Sequence, residues 1–186
     1  MIIVVVILAG ATGALWWPDG FLRVFAGGLL ALAAWVARHD VARHTVRQRG
    51  VVRFIAVCLL SGYGWLTVGA LLGLSGAFAP GHAWRDAALH AITLGFVFSM
   101  LFGHAPLILP AVVRERLAYH PSFYVPLAVL HVSLLVRVAG GLSGAFWLRQ
   151  AGGLASAAAL VLFALTLLIG AYRTWRRTVS GVMSSR

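Results

Sequence analysis

Four side chains in this sequence have no ordinary place among the apolar residues that surround them: His90, His104, His131 and Arg137. Hydrocarbon offers no water, so an ionisable group inside an apolar run costs a few kcal/mol and marks a functional site. His104 and His131 stand on two successive apolar runs. A hairpin turn centred between Leu117 and Ala118 sets them at one depth. Two imidazoles facing each other at one level are what a single metal, or a haem iron with two axial ligands, requires. His90 stands 14 residues before His104, within about 40° of the same helical face but about 21 Å away along the axis, too far to share a metal. It would serve a second site, meet another chain or bond to a helix carbonyl.

Arg137 follows His131 by six residues, about 120° round the helix, and the same turn places it level with Phe98. A guanidinium there is the natural partner of a haem propionate or another anionic cofactor group; the other reading has it snorkelling to carbonyls or lipid phosphate. Gly95 and Gly103 remove side chains where a flat macrocycle would approach, and Pro106 and Pro110 free the carbonyls of Phe102 and Pro106 and kink the helix. Met100 lies one turn before His104, and with His104 and His131 it forms a rival set suited to copper. Tyr63 would hydrogen-bond a ligand or a histidine, or fill a helix contact. His39, His44, His82 and His120 read as solvated loop residues.

The elements that must hold these groups follow from composition. Of 186 residues 61% are hydrophobic and only 10% charged, against about 25% charged in soluble domains. That composition predicts an all-α, polytopic membrane bundle forming a single domain. Six runs reach the length that a bilayer core of about 30 Å asks for: about 2–17, 20–37, 51–78, 87–113, 122–147 and 152–175. The first ends in Trp16-Trp17-Pro18, an interfacial aromatic anchor, and reads as a retained helix. Glycines at small-xxx-small spacing, Gly69 with Gly73 and Gly140 with Gly144, read as packing faces.

The net charge is +11 and every basic residue is arginine. The arginines cluster between apolar runs, the pattern of cytoplasmic membrane loops, which excludes nucleic acid as the partner. Arg38, Arg43, Arg47, Arg49 and Arg53, then Arg114 and Arg116, then Arg173, Arg176, Arg177 and Arg186 fall on one side; Arg23, Arg85 and Arg149 fall on the other. Both termini are thus expected in the cytoplasm of a bacterial-type inner membrane. No Asp or Glu falls within the six runs, which disfavours a proton or solute transporter, and no phosphate loop, carboxylate pair or activated nucleophile points to hydrolytic chemistry. Cys58 lies alone in an apolar run and implies no disulfide.

The stretch from Leu89 through His90, Thr93, Gly95, Phe96, Met100 and Gly103 to Leu109-Pro110 resembles the histidine helix of the haem–copper oxidase and nitric oxide reductase catalytic subunits. It is also similar to the NnrS-like haem membrane proteins. His90 matches the low-spin haem position and Gly95 the glycine five residues on, while Ala88 stands where the high-spin haem histidine belongs. The resemblance covers the fourth and fifth runs. It implies a low-spin or sensory haem b with no oxygen or nitric oxide reduction, and it favours His90 as ligand where depth matching favours His104 with His131. The expected function is electron transfer or a nitrogen-oxide or redox response in a respiratory membrane, with a redox partner or other membrane subunits. The alternatives are a non-catalytic accessory or scaffold subunit and a copper-binding membrane protein.

Overall fold

A computed structural model describes residues 1–113 and 119–184. The turn centre at Leu117 and Ala118, with Arg114, Arg116 and Arg186, lies outside the described residues. The apolar runs become helices: α1 (Ile2–Gly13), α2 (Pro18–His39), the short α3 (Ala42–Thr45) and α4 (Val51–Leu74). A continuous rod follows, built from α5 (Arg85–His90), a π-helical segment (Ala91–Val97) and α6 (Phe98–Val113). After a 3-10 turn at Pro121–Phe123 come α7 (Tyr124–Ser143) and α8 (Phe146–Ser184).

Among the described residues five helices are long and apolar enough to cross a bilayer: Pro18–His39, Val51–Leu74, Arg85–Ile108, Pro121–Ser143 and Phe146–Arg173. Only 22% of the most apolar stretch of the first and 44% of that of the second is buried. Val4, Leu8, Leu71, Leu101, Val132 and Leu165 are exposed on the outer faces. Rods apolar all round with outward aliphatic faces belong in lipid, and the chain is an integral membrane protein. The expected first span is shorter than the other five. Its 12 helical residues reach about 18 Å, below the bilayer core of about 30 Å.

The rods pack as α1 on α2, α2 on α4, α4 on the π segment and α6, α5 on α7, and α7 on α8. Glycine sets the close approaches, as the absence of a strong hydrophobic drive between helices in lipid requires. The missing side chain at Gly10 admits the backbone of Phe25, Gly69 receives Ile92, and Gly140 receives Leu148 and the backbone of Arg149. Gly144 instead caps α7 with φ 71°, the left-handed turn that lets α8 fold straight back. One core joins Leu29, Leu66 and Phe78; a second joins Phe54, Cys58, Phe102, Phe123 and Phe163. In the second core the rings of Phe102 and Phe163 stack 3.7 Å apart.

Candidate functional site

The register of these rods decides which polar groups meet. Gly141 of α7 lies against Ala87, and Leu134 lies against Gly95. Carried along both helices, this places His131 level with about Phe98 and His104 level with about Tyr124, an offset of about 9 Å. The structure therefore does not bring His104 and His131 to one level. Gly141 with Ala87 and Leu134 with Gly95 give nearly the same register, and α7 packs on α5 and the π segment.

His131 meets α4 instead. The indole Nε1–H of Trp65 donates to its Nδ1 at 3.0 Å, and its Nε2 lies 3.0 Å from Ser61 Oγ. Because an indole only donates, Nδ1 must accept; neutral His131 then carries its proton on Nε2 and donates it to Ser61. The Ser61 hydroxyl in turn donates to the carbonyl of Cys58 at 3.0 Å. The chain of donors is complete, and Trp65 lies along His131 with ring centroids 6.4 Å apart.

His104 and His90 are held differently. His104 is exposed on α6, and its Nδ1–H donates to the Met100 carbonyl at 2.7 Å. His90 is half-buried, with Nδ1–H donating to the Asp86 carbonyl at 2.8 Å and 3.3 Å from Asp86 Oδ1. A carbonyl can only accept, so in both neutral rings the lone pair is left on Nε2.

Arg137 reaches the start of the α5 rod, where its Nη2 donates to Asp86 Oδ1 at 2.9 Å. The guanidinium passes over Gly153, where a methyl group would strike Nη1, while Gly152 sits against the Arg137 backbone nitrogen. Asp86, read from the sequence as a residue outside the apolar runs, thus ties α5 to α7 and touches His90 as well. Tyr63 hydrogen-bonds no histidine: its hydroxyl donates to Asp40 Oδ2, while Oδ1 of the same carboxylate accepts from the Ala42 N–H at 2.7 Å. Ser133 and Ser156 pair at 2.8 Å in the buried contact of α7 with α8. Any polar group in an apolar interface needs such a partner, which is the one sequence signal these contacts give.

The haem reading makes a geometric demand that these residues can be tested against. The space beside Gly95 is filled by the Trp65 side chain and Leu134, and Gly103 packs on Cys58 and Leu59. Both nitrogens of His131 are engaged. In this arrangement the residues do not fit a macrocycle between His104 and His131. Met100 points its methyl at Gly62 of α4 and joins no copper set. Among the described residues no three His, Cys, Asp or Glu side chains gather as a metal site.

A second cluster lies where α5 begins and α7 turns into α8. Asp86, Arg137, Phe146, Arg149 and Gln150 line an open cavity of about 280 Å³. Arg149 sits over the Phe146 ring at 5.7 Å. A larger groove of about 410 Å³ between α7 and α8 is lined by Val129, Val132, Ala155 and similar residues, and it is apolar throughout.

No curated protein and no solved structure matches the chain. A family model does, over residues 1–172: the domain of unknown function DUF8744, and the chain belongs to that family.

Proposed function

We propose that this chain is a non-catalytic accessory subunit of a larger assembly in a bacterial-type inner membrane, crossing it six times with both termini in the cytoplasm. One observation carries the reading: the interior His131 closes on Trp65 and Ser61, whereas the His104 imidazole is exposed on α6 and keeps its Nε2 lone pair after Nδ1–H has gone to the Met100 carbonyl. An unsatisfied acceptor against hydrocarbon is costly, and a donor from another chain removes that cost. The sixth crossing is α1 together with the turn that carries the chain on to Trp17; α1, too short to span by itself, lies along α2 through Gly10, Gly13 and Gly28. The arginine-rich connections Arg38 to Arg53 and the basic end of α8 support the orientation.

Extraction of the full chain in a mild detergent tests this. The 19.8 kDa chain is expected to migrate in an assembly containing other subunits, and His104→Leu is expected to release it. A single chain per micelle in both proteins overturns the reading.

The haem b reading, with electron transfer or a redox response as its role, keeps one specific support. His104 and His90 hold Nδ1–H on a carbonyl and offer Nε2, which is the arrangement of a ligating imidazole. An iron on this reading sits at the outer face of α6 and takes its second ligand from another chain. Purified protein is expected to show a Soret band that His104→Ala removes and His131→Ala leaves. Protein that stays colourless after haem addition overturns it.

A further inference from the structure

Among the described residues, the polar cluster of Asp86, Arg137, Arg149 and Gln150 around one cavity leaves several of its atoms without a partner. Two guanidinium groups and one carboxylate face it, which leaves one positive charge in excess. Asp86 satisfies only one donor of Arg137, through Oδ1 and Nη2. Three buried atoms around the cavity have no partner: Arg137 Nε, Arg149 Nε and Asp86 Oδ2. These three atoms lie behind the lining, and what the site offers an occupant is the surplus positive charge of two guanidinium groups.

The occupant that balances this charge is a single negative charge spread over several oxygens. Arginine forks match phosphate oxygens in both geometry and charge. We propose that the cavity binds a monoanionic phosphate. Two sources share that chemistry: the headgroup of an anionic glycerophospholipid and free dihydrogen phosphate. The volume of about 280 Å³ is several times the roughly 30 Å³ that a water occupies in the liquid, so a whole headgroup phosphate fits.

The surroundings suit a headgroup. Trp84, Phe146 and Trp147 are exposed at the same end of the bundle, as interfacial aromatics are. Arg137 lies six residues before the end of α7, about 9 Å inward, and its long side chain climbs over Gly153 to reach the cavity.

The test measures the thermal unfolding midpoint of the full chain in a phosphate-free sugar detergent. The additions are inorganic phosphate, phosphatidylglycerol, or phosphatidylcholine, which has no net charge. Phosphatidylglycerol is expected to raise the midpoint by about 5 °C and phosphatidylcholine by much less. Arg149→Gln is expected to abolish the difference. Arg149→Lys, which keeps the charge but loses the fork, is expected to retain only part of it and serves if the glutamine variant does not fold. A shift with the lipid alone assigns the source to the membrane, and an equal shift with inorganic phosphate assigns it to the free ion. No shift in the native protein, or an undiminished shift in both Arg149 variants, overturns the proposal.

Discussion

The indole of Trp65 donates to Nδ1 of His131, and this one bond fixes the protonation of an imidazole on a different helix. Since the indole has no lone pair to offer, His131 cannot turn its Nδ1 into a donor without facing N–H against N–H. The neutral ring is locked as the Nε2–H tautomer and spends that proton on Ser61. A Trp65→Phe substitution keeps most of the ring volume beside Gly95 but leaves Nδ1 without a donor. The expected cost is about 1–3 kcal/mol, the penalty of an orphaned buried acceptor, read as a lower unfolding midpoint in detergent. Nitrogen NMR of labelled histidine is expected to show His131 as a single Nε2–H tautomer in the native protein and as a mixture in the variant.

The Asp86–Arg137 pair joins α5 to α7 with both partners largely out of solvent, at 30% and 19% side-chain exposure. Removing one charge strands the other, which costs more than the pair is worth. Asp86→Asn and Arg137→Gln are each expected to destabilise the protein by about 2–4 kcal/mol. The double variant is expected to lose less than the two losses added, with a coupling of about 1–3 kcal/mol in a double-mutant cycle. Strict additivity would show that the pair contributes nothing.

Tyr119, outside the membrane-crossing helices, packs against the rings of Phe54 and Phe123 at 6.2 and 5.9 Å. Burial, reinforced by Tyr124 and opposed by Arg53, pushes its phenol up to about 12 from 10.0. The folded protein thus holds the proton more tightly than the unfolded chain. The stabilisation is complete below pH 10 and disappears as the pH rises through about 12. Unfolding midpoints measured across this interval are expected to fall, and the fall is expected to be smaller in Tyr119→Phe.

The long apolar runs made the helices legible in the sequence, because nothing but a helix satisfies backbone groups in lipid. Their mutual register was not legible. Equal depth for His104 and His131 depends on a turn centre at Leu117 and Ala118, and no residue type in that stretch fixes the centre to the residue. The role of Asp86 is hidden for a related reason: it stands one residue ahead of the apolar stretch, yet the helix begins at Arg85, so its carboxylate lies a turn from His90. The Trp65–His131 bond had a signal that composition alone does not weigh. An indole N–H within an apolar run must find an acceptor, and His131 is among the few side chains in the facing runs able to serve.

Glycine-to-alanine substitutions separate the glycines that packing requires from those it merely tolerates. At Gly152 an added methyl would lie 2.7 Å from the Arg137 backbone nitrogen and 2.8 Å from the Ser133 carbonyl oxygen. Neither atom belongs to a flexible side chain, so α7 and α8 must separate, dragging the Ser133–Ser156 pair and the Arg137 crossing with them. Gly64, inside α4, has nothing within 4 Å of the same position. There alanine gains only helix propensity, about 1 kcal/mol in a helix interior. Gly64→Ala is expected to be neutral or slightly stabilising, while Gly152→Ala is expected to lower stability by about 1–3 kcal/mol, as overpacking does. Unfolding midpoints of the two variants that move together would mean that α7 and α8 are not held by this close contact.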